Sequence, residues 1–221
     1  MVDHLIRLFQ PFVDAAVVVA HPSFSDRVRH HLNTSARGLT IDVVEQPAPT
    51  GMLDAILAAA DAVANAAPDQ VWIVWCDQVG LLPETLRQVA DASVAQPAPD
   101  LVLPTVIRPD PYIHFERETR GGITAVRQRR EGDEMPPLGE SDAGLFSLSA
   151  QGYREFQAFS RTAGRGSGTG ERNFLPFIPW LAHRRRVVTV ACADPREAVG
   201  VNTPQDLADV EAWLKQRSGS L

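Results

Sequence analysis

The sequence predicts one α/β domain with a mainly parallel sheet and helices on both faces, and three observations support this. Between residues 15 and 107, apolar strand-like runs alternate with helical patterns in the order of β-α-β units. The run 71–76 (VWIVWC) is continuously apolar, which is typical of a central parallel strand covered on both faces. With 221 residues, 44% of them hydrophobic, the chain is long enough to bury such a core.

The elements of the first half follow from hydrophobic spacing. Apolar residues from Val2 to Phe9 recur at helical intervals, so the chain opens in an amphipathic helix. Ser23 or Ser25 is the expected N-cap of a second helix, which ends near Leu32. The remaining predictions are strands at 15–20, 39–44, 71–76 and 101–107 and helices at 50–67 and 83–94.

The second half has a different pattern. Turn signals dominate residues 108–149 and predict antiparallel strands that cover the end of the sheet, and the Gly-rich run 164–170 predicts a mobile loop. Thr203 as N-cap and Pro204 at the first helical position open a final helix. The other expected elements are helices at 151–159 and 173–183 and a strand at 187–192.

Charge and cysteine content exclude several classes of protein. A net charge of -6 and a pI of about 5.5 argue against nucleic-acid binding, which needs a basic face. Cys76 and Cys192 each lie in an apolar run and are expected to be free thiols that pack as small hydrophobes, in a reducing cytoplasm. The sequence shows neither a membrane span nor a signal peptide. These features predict a cytoplasmic protein with small-molecule partners.

Polar residues just beyond predicted strands are the candidate site, because open α/β sheets bind ligands at the carboxyl ends of their strands. Asp77 is suited to holding Mg²⁺ against a phosphate, or caps the next turn. Asn202 offers a neutral oxygen ligand, or simply occupies a turn. Gln46 presents a donor and an acceptor to the imide edge of a pyrimidine and Gly51 lets backbone approach a flat ring, or both belong to an ordinary loop.

Three motifs resemble those of the sugar-1-phosphate nucleotidyltransferases and their molybdopterin-cofactor relatives. The run VWIVWCDQVGLLPETL resembles their metal-binding strand and helix, EQPAPTGMLDAI their pyrimidine-recognition loop, and EAVGVNTPQDLADVE their C-terminal motif. The motifs occur in the family order and span essentially the whole chain. The resemblance implies a Rossmann-like three-layer α/β/α nucleotide-diphospho-sugar transferase fold in a single domain, with a nucleotide-binding half at 1–107 and an acceptor-binding half at 108–221.

The resemblance also implies a reaction and its residues. A nucleoside monophosphate would pass from a pyrimidine nucleoside triphosphate to a phosphorylated small molecule, such as a sugar 1-phosphate, with release of pyrophosphate. Asp77 and Asn202 would be the catalytic ligands of Mg²⁺. The implied nucleotide contacts are Gln46, Thr50 and Gly51, and the implied acceptor contacts are Gln128, Asp142, Gly144 and Glu171. Gln128 and Asp142 stand where relatives carry Glu and Asn, which changes the hydrogen bonds offered to the acceptor.

The chain departs from this family at its start. Relatives begin with a strand, a Gly-rich loop and a Pro-Lys pair that wrap the triphosphate. Residues 1–6 resemble the helix after that loop, and Lys215 is the single lysine. We therefore expect a sheet without its central first strand, and either a start further upstream or a form that binds triphosphate weakly. The arginines at 127, 129, 130 and 184–186 either hold phosphates or form a solvated face.

Two other functions are compatible with the sequence. A non-catalytic nucleotide- or sugar-nucleotide-binding module of the same fold agrees with the absence of the Gly-rich loop. A glycosyltransferase on the same sheet is the second, but it usually needs an Asp-x-Asp metal motif, which Asp77-Gln78-Val79 does not provide.

Overall fold

The computed structural model describes residues 1–35 and 38–218. Positions 36–37 of the predicted nucleotide-binding half and positions 219–221 of the predicted acceptor-binding half lie outside the described residues. The helices are α1 (Val2–Phe9), α2 (Pro22–Ser35), α3 (Met52–Ala58), α4 (Ala60–Ala66), α5 (Pro83–Ser93), α6 (Ala150–Ser160), α7 (Phe177–Ala182) and α8 (Pro204–Ser218). The strands are β1 (Ala15–Ala20), β2 (Thr40–Glu45), β3 (Gln70–Val74), β4 (Leu101–Pro109), β5 (Ile113–Arg117), β6 (Ile123–Gln128), β7 (Leu138–Asp142), β8 (Leu145–Ser149) and β9 (Val187–Ala191).

A five-stranded sheet forms the centre of the molecule. Its path runs β3-β8-β4-β7, and β9 pairs in parallel with β4. Strands β7 and β8 are antiparallel to their neighbours, and β5 and β6 form a separate hairpin. The prediction that residues 108–149 cover the end of the sheet is therefore wrong for β7 and β8, because β8 lies inside the sheet between β3 and β4.

The sheet is covered on both faces, which confirms the Rossmann-like three-layer α/β/α fold. One hydrophobic cluster joins the sheet to α3, α6 and α7, and it is centred on Phe146, Phe156 and Phe177. The other cluster joins the opposite face to α1, α5 and α8 through residues such as Phe9 and Trp213. Burial of these two apolar faces is the main stabilising contribution to the fold.

The prediction that β3 is a central parallel strand is wrong for the described residues, because β3 lies at the edge of the sheet and is antiparallel to its neighbour. Strand β3 pairs with β8 alone, and β1 pairs with β2 alone, in parallel, as a second small sheet. Both β1 and β3 are apolar, yet their residues are only partly buried, whereas the first six residues of β4 are buried.

Several element boundaries differ from the sequence prediction. The helix expected at 50–67 is two helices, because Ala59 between them has φ -86° and ψ 0°. Helix α2 begins at Pro22, so neither predicted serine is its N-cap. The Ser25 hydroxyl instead bonds to the Pro22 carbonyl (3.1 Å) and to the Glu45 carboxylate (2.5 Å) at the end of β2.

Two predictions from composition can be compared with the structure. Cys76 is exposed, so its predicted packing as a small hydrophobe is wrong, whereas Cys192 is partly buried. In the described part of the chain, no helix is both long and apolar enough to cross a membrane.

The arginine clusters are neutralised largely by carboxylates, through the pairs Arg127–Glu116, Arg129–Asp110, Arg130–Glu171 and Arg185–Glu155.

The carboxylate of Glu131 holds the Gly-rich loop at 164–170 in place through hydrogen bonds. Glu131 accepts hydrogen bonds from the backbone N–H groups of Gly168 (2.8 Å) and Thr169 (3.2 Å). It also accepts from the Thr169 hydroxyl (2.6 Å) and the Asn173 amide (2.8 Å). These donors, with the Thr169 hydroxyl contributing most, lower the pKa of Glu131 to about 2.

We expect Glu131→Gln to release this loop. Because the pKa of Glu131 is depressed in the folded protein, its stabilisation is present above pH 4.5 and is lost as the pH falls towards 2. The difference in urea midpoint between wild type and Glu131→Gln should therefore be largest near neutral pH and should shrink on acidification. Trypsin cleavage after Arg165 at pH 7.5 should also become faster in the variant. Equal cleavage rates would contradict this role of Glu131.

Candidate active site

Asp77 lies just beyond β3, at the carboxyl end of the strand. The backbone N–H of Trp75 donates to the Gly144 carbonyl (3.0 Å), which extends the β3–β8 pairing by one residue. The N–H of Gln78 then donates to the Trp75 carbonyl (3.0 Å) and closes a turn around Asp77. The carboxylate is partly buried, and this burial raises the pKa of Asp77.

The turn that carries Asn202 packs directly on Asp77. The Val201 N–H donates to the Asp77 carbonyl (3.0 Å). A Cβ added to Gly200 would lie 2.7 Å from Asp77 Oδ2, so only glycine permits this approach. The side-chain amide of Asn202 donates to the Gly200 carbonyl (3.2 Å). The structure therefore brings the two predicted Mg²⁺ ligands to adjacent turns.

The Asn202 turn is fixed by the helix that follows it. The Asp206 carboxylate accepts from the backbone N–H groups of Asn202 (3.0 Å) and Thr203 (2.8 Å), while the Thr203 hydroxyl accepts from the Asp206 N–H (3.1 Å). This reciprocal pattern is the capping box that the sequence predicts at the start of α8.

Asp142 and Gly144 lie beside Asp77 at the β7–β8 connection. Asp142 is the last residue of β7, and its Oδ1 accepts from the Gly144 N–H (2.8 Å). Gly144 has φ 69°, a conformation that favours glycine. Burial is the main cause that raises the pKa of Asp142 to about 6, and the negative charge of Asp77 adds to it.

Gln78 was not singled out by the sequence, although it follows the predicted ligand directly. Its side chain is 9% exposed and is enclosed by the two glycine turns, since a Cβ on Gly144 would overlap Gln78 Cγ and one on Gly200 would lie 3.1 Å from Nε2. Its Oε1 is buried and accepts no hydrogen bond from the described residues. A buried amide oxygen of this kind is usually satisfied, so it marks a place for a ligand or water.

Glu197 connects two segments next to the site, and the sequence prediction did not single it out. It is fully buried, and it accepts from the Leu82 N–H (2.9 Å), the Thr85 hydroxyl (2.9 Å) and the Asp194 N–H (2.9 Å). Its burial raises its pKa. Through these bonds Glu197 joins the segment after Asp77 to the segment that leads to Asn202.

The predicted nucleotide loop is held together by hydrogen bonds between its own residues. The Gln46 side-chain amide donates to the Gly51 carbonyl (3.0 Å) and to the Thr50 hydroxyl (3.5 Å). Gly51 has φ 118°, and a Cβ there would lie 2.4 Å from the backbone oxygen of Arg172. The Arg172 N–H donates in turn to the Thr50 carbonyl (2.8 Å). The structure brings Gln46, Thr50 and Gly51 together. At Gly51 the backbone of Arg172 lies so close that a side chain would not fit.

Gln128 and Glu171 belong to a different region from Asp142. Gln128 ends β6, and its backbone N–H donates to Asp133 (2.7 Å). Glu171 pairs with Arg130 (3.1 Å), which links the end of β6 to the segment beside the nucleotide loop. The hydrogen bonds and ion pairs of Gln128 and Glu171 go to Asp133 and Arg130, whereas Asp142 bonds to Gly144, so the predicted acceptor contacts form two groups.

A cavity of about 540 Å³ is lined by residues of β4, β7 and β9. Thr105, which lines it, is the β4 partner of Asp142, and its carbonyl accepts from the N–H of Cys192, another lining residue (3.0 Å). The other side of the cavity is lined by Arg117 and Glu140, whose side chains form a bidentate ion pair with two bonds of 2.6 Å. The cavity is therefore lined by threonine hydroxyls and a neutralised ion pair, and Asp142 is not among its lining residues.

The fold and this site together define a nucleotidyltransferase-type domain: a three-layer α/β/α sheet with a carboxylate at a strand end, next to a Gly-Val-Asn turn. Comparison with known proteins gives the particular family. The MobA-like NTP transferase domain matches residues 1–137, and the chain belongs to this family.

Two curated relatives extend the similarity beyond residue 137. The chain is 26% identical to the bifunctional protein GlmU of Solibacter usitatus over 206 residues, which is 91% of this chain and 42% of that protein. It is 25% identical to the bifunctional protein GlmU of Nitrosococcus oceani over 156 residues, or 69% of this chain and 34% of that protein. The chain thus spans less than half the length of these relatives.

Proposed function

We propose that this nucleotidyltransferase domain transfers a nucleoside monophosphate from a pyrimidine nucleoside triphosphate to a phosphorylated small molecule, with a sugar 1-phosphate as the first candidate. The observation that carries the proposal is the contact between the Asp77 turn and the Asn202 turn, with Val201 N–H on the Asp77 carbonyl at 3.0 Å. This contact places two oxygen-bearing side chains at the carboxyl end of β3, where α/β sheets bind ligands.

The residues present fit a divalent cation. Asp77 supplies a carboxylate and Asn202 an amide oxygen, which are ligands that a hard cation prefers, and Gly200 between them packs closely against Asp77 Oδ2. In the described residues no three His, Cys, Asp or Glu side chains form a group that could hold a metal ion, so the proposal rests on Asp77 and Asn202. Mg²⁺ bound there would neutralise charge on the phosphates.

The reaction balances without a nucleophile from the protein. An oxygen of the acceptor phosphate attacks the α-phosphorus of the triphosphate, the bond from that phosphorus to the β-phosphate oxygen breaks, and pyrophosphate leaves. The role of the chain is to hold both substrates in line. Gln46 donates its amide hydrogens to the Thr50–Gly51 turn, and in the proposed complex its side-chain oxygen accepts from the N–H of the pyrimidine ring.

In this proposal the two halves of the domain bind different substrates. We place nucleotide binding in residues 1–107 and acceptor binding in 108–221, with Gln128, Asp142, Gly144 and Glu171 as contacts. The cavity of about 540 Å³ supports acceptor binding by the second half, because six of its nine lining residues lie in 108–221 and the other three are at the end of the first half. The proposal also includes a cytoplasmic location, in which Cys76 and Cys192 stay free thiols.

The test is pyrophosphate release with Mg²⁺. UTP, CTP and dTTP are each combined with glucose 1-phosphate, N-acetylglucosamine 1-phosphate and phosphocholine, and the coupled assay is repeated with EDTA. We expect release with at least one pair, dependent on both substrates and abolished by EDTA. Absence of release with every pair, from protein that melts cooperatively, would reject the enzymatic proposal.

The second candidate is a non-catalytic nucleotide-binding module, and the basic residues favour it. The single lysine, Lys215, pairs with Glu211 (3.4 Å), and the arginines at 127, 129, 130 and 185 pair with carboxylates. Four of the six arginines at 127, 129, 130 and 184–186 are therefore neutralised by carboxylates, which makes these clusters poorer sites for a triphosphate. Thermal shifts with sugar nucleotides but no pyrophosphate release would support this module.

A further inference from the structure

Arg172 joins the predicted nucleotide loop to the second half of the chain through its side chain. Its Nη1 donates to Asp54 Oδ1 (2.5 Å) in the first turn of α3, and its Nη2 donates to the Ser160 carbonyl at the end of α6. The side chains of Arg172 and Asp54 are 23% and 22% exposed, so solvent screens this ion pair less than it screens a surface pair. The pair therefore fixes the start of α3 against α6.

The backbone of Arg172 contacts the same loop on both sides of Gly51. Its N–H donates to the Thr50 carbonyl (2.8 Å), and its carbonyl accepts from the Leu53 N–H (3.1 Å). Between these two bonds, Gly51 lies so close to the Arg172 backbone that a side chain would not fit. Arg172 thus holds the turn from Thr50 to Asp54 with its backbone as well as with its side chain.

Arg172 is itself fixed in place by its two neighbours in the chain. The Glu171 carbonyl accepts from the Gly166 N–H (2.7 Å) in the Gly-rich loop, and the Asn173 side-chain amide donates to Glu131 (2.8 Å) just after β6. Both contacts lie within the proposed acceptor-binding half. The position of Arg172 is therefore set by that half, although the residue contacts the nucleotide loop.

The side chain of Gln46 depends on this arrangement. Its amide group donates to the Gly51 carbonyl (3.0 Å) and to the Thr50 hydroxyl (3.5 Å), on the two residues that pack against Arg172. In the proposed function the side-chain oxygen of Gln46 contacts the pyrimidine. A shift of Thr50 and Gly51 would turn the carboxamide, because both of its donated hydrogen bonds end on these residues.

We infer that Arg172 is a positioning residue for base recognition: it fixes the Thr50–Gly51 turn that orients Gln46, and it ties this orientation to the acceptor-binding half. The inference rests on the proposed function, because it requires that Gln46 contacts the base. Arg172 acts through the loop and does not itself touch substrate. Loss of its side chain should therefore weaken binding of the base and leave binding of the phosphates unchanged.

The experiment uses calorimetry on the full chain with Mg²⁺ and compares UTP, CTP and dTTP with inorganic tripolyphosphate, which has no base. Arg172→Met keeps much of the bulk and removes both side-chain bonds. Asp54→Asn is milder, removes the charge of the partner, and carries the test if Arg172→Met does not fold. Arg154→Met is the control for net charge, because Arg154 is exposed on α6 and bonds to Gln151 (2.7 Å). Thermal melting shows whether each variant is folded.

Arg172→Met should raise the dissociation constant of the nucleotide at least about fivefold, as for one lost hydrogen bond, and change that of tripolyphosphate by less than about twofold. Asp54→Asn should act in the same direction by a smaller factor, and Arg154→Met should bind as wild type. Wild-type nucleotide affinity in the folded variants, or an equal loss for both ligands, would overturn the inference alone. A wild-type protein that binds tripolyphosphate and none of the nucleotides would reject the base site of the proposed function, and the inference with it.

Discussion

Asp77→Asn should reduce Mg²⁺-dependent pyrophosphate release by at least about a hundredfold, because charge neutralisation by a bound metal contributes several kcal/mol to the transition state. Asn fills the same space and retains the hydrogen bonds of the backbone turn, including the Val201 N–H on the carbonyl of residue 77 (3.0 Å). The variant should therefore melt close to the wild-type temperature. The measurement is the initial rate at saturating substrates, with rate and melting compared side by side.

Asp26→Asn is the matched control for this result. Its side chain is 95% exposed and pairs with Arg29 on the surface of α2, so the same chemical change should leave the rate unaltered. If Asp77→Asn kept more than a tenth of the wild-type rate while remaining Mg²⁺-dependent, the assignment of Asp77 as a metal ligand would be wrong.

Glu197→Ala should destabilise the protein by about 3–5 kcal/mol, since it leaves three donors without an acceptor in a buried site. The donors are the Leu82 N–H, the Thr85 hydroxyl and the Asp194 N–H, each 2.9 Å from a Glu197 oxygen. Glu197→Gln keeps one acceptor oxygen and should lose less. Urea unfolding followed by circular dichroism measures both variants.

Glu211→Ala is the control for Glu197. Glu211 is exposed on α8 and pairs with Lys215 (3.4 Å), so its removal should change stability by less than about 1 kcal/mol. A Glu197→Ala variant as stable as Glu211→Ala would show that the buried carboxylate does not hold the Leu82 turn to the segment before Asn202.

The local motifs of the site were predictable, because each depends on a few consecutive residues. Asp77 directly follows an apolar strand, and the turn with Asn202 precedes a proline and a capping acid, which are signals that a sequence carries on its own. The structure confirms that these segments meet. Their roles in binding remain predictions.

Other features depend on contacts between distant segments, which the sequence does not display. Glu197 lies 115 residues from Leu82 along the chain, and nothing in its surroundings distinguishes it from an exposed helix-cap glutamate. Strand β3 has the apolar composition of a strand with two neighbours, yet it pairs with β8 alone. Strands β7 and β8 alternate like covering strands, and their insertion into the main sheet follows from register with β4 and β3.

The most direct test of nucleotidyl transfer at the Asp77 site follows the label of a pyrimidine nucleoside triphosphate. Triphosphate labelled at the α-phosphorus is incubated with Mg²⁺ and the acceptor that gives pyrophosphate release, and the products are separated. We predict that the label appears on the acceptor as a diphosphate-linked nucleotide in wild type and not in Asp77→Asn. Label recovered only as triphosphate or free monophosphate in the wild type would contradict transfer by this domain.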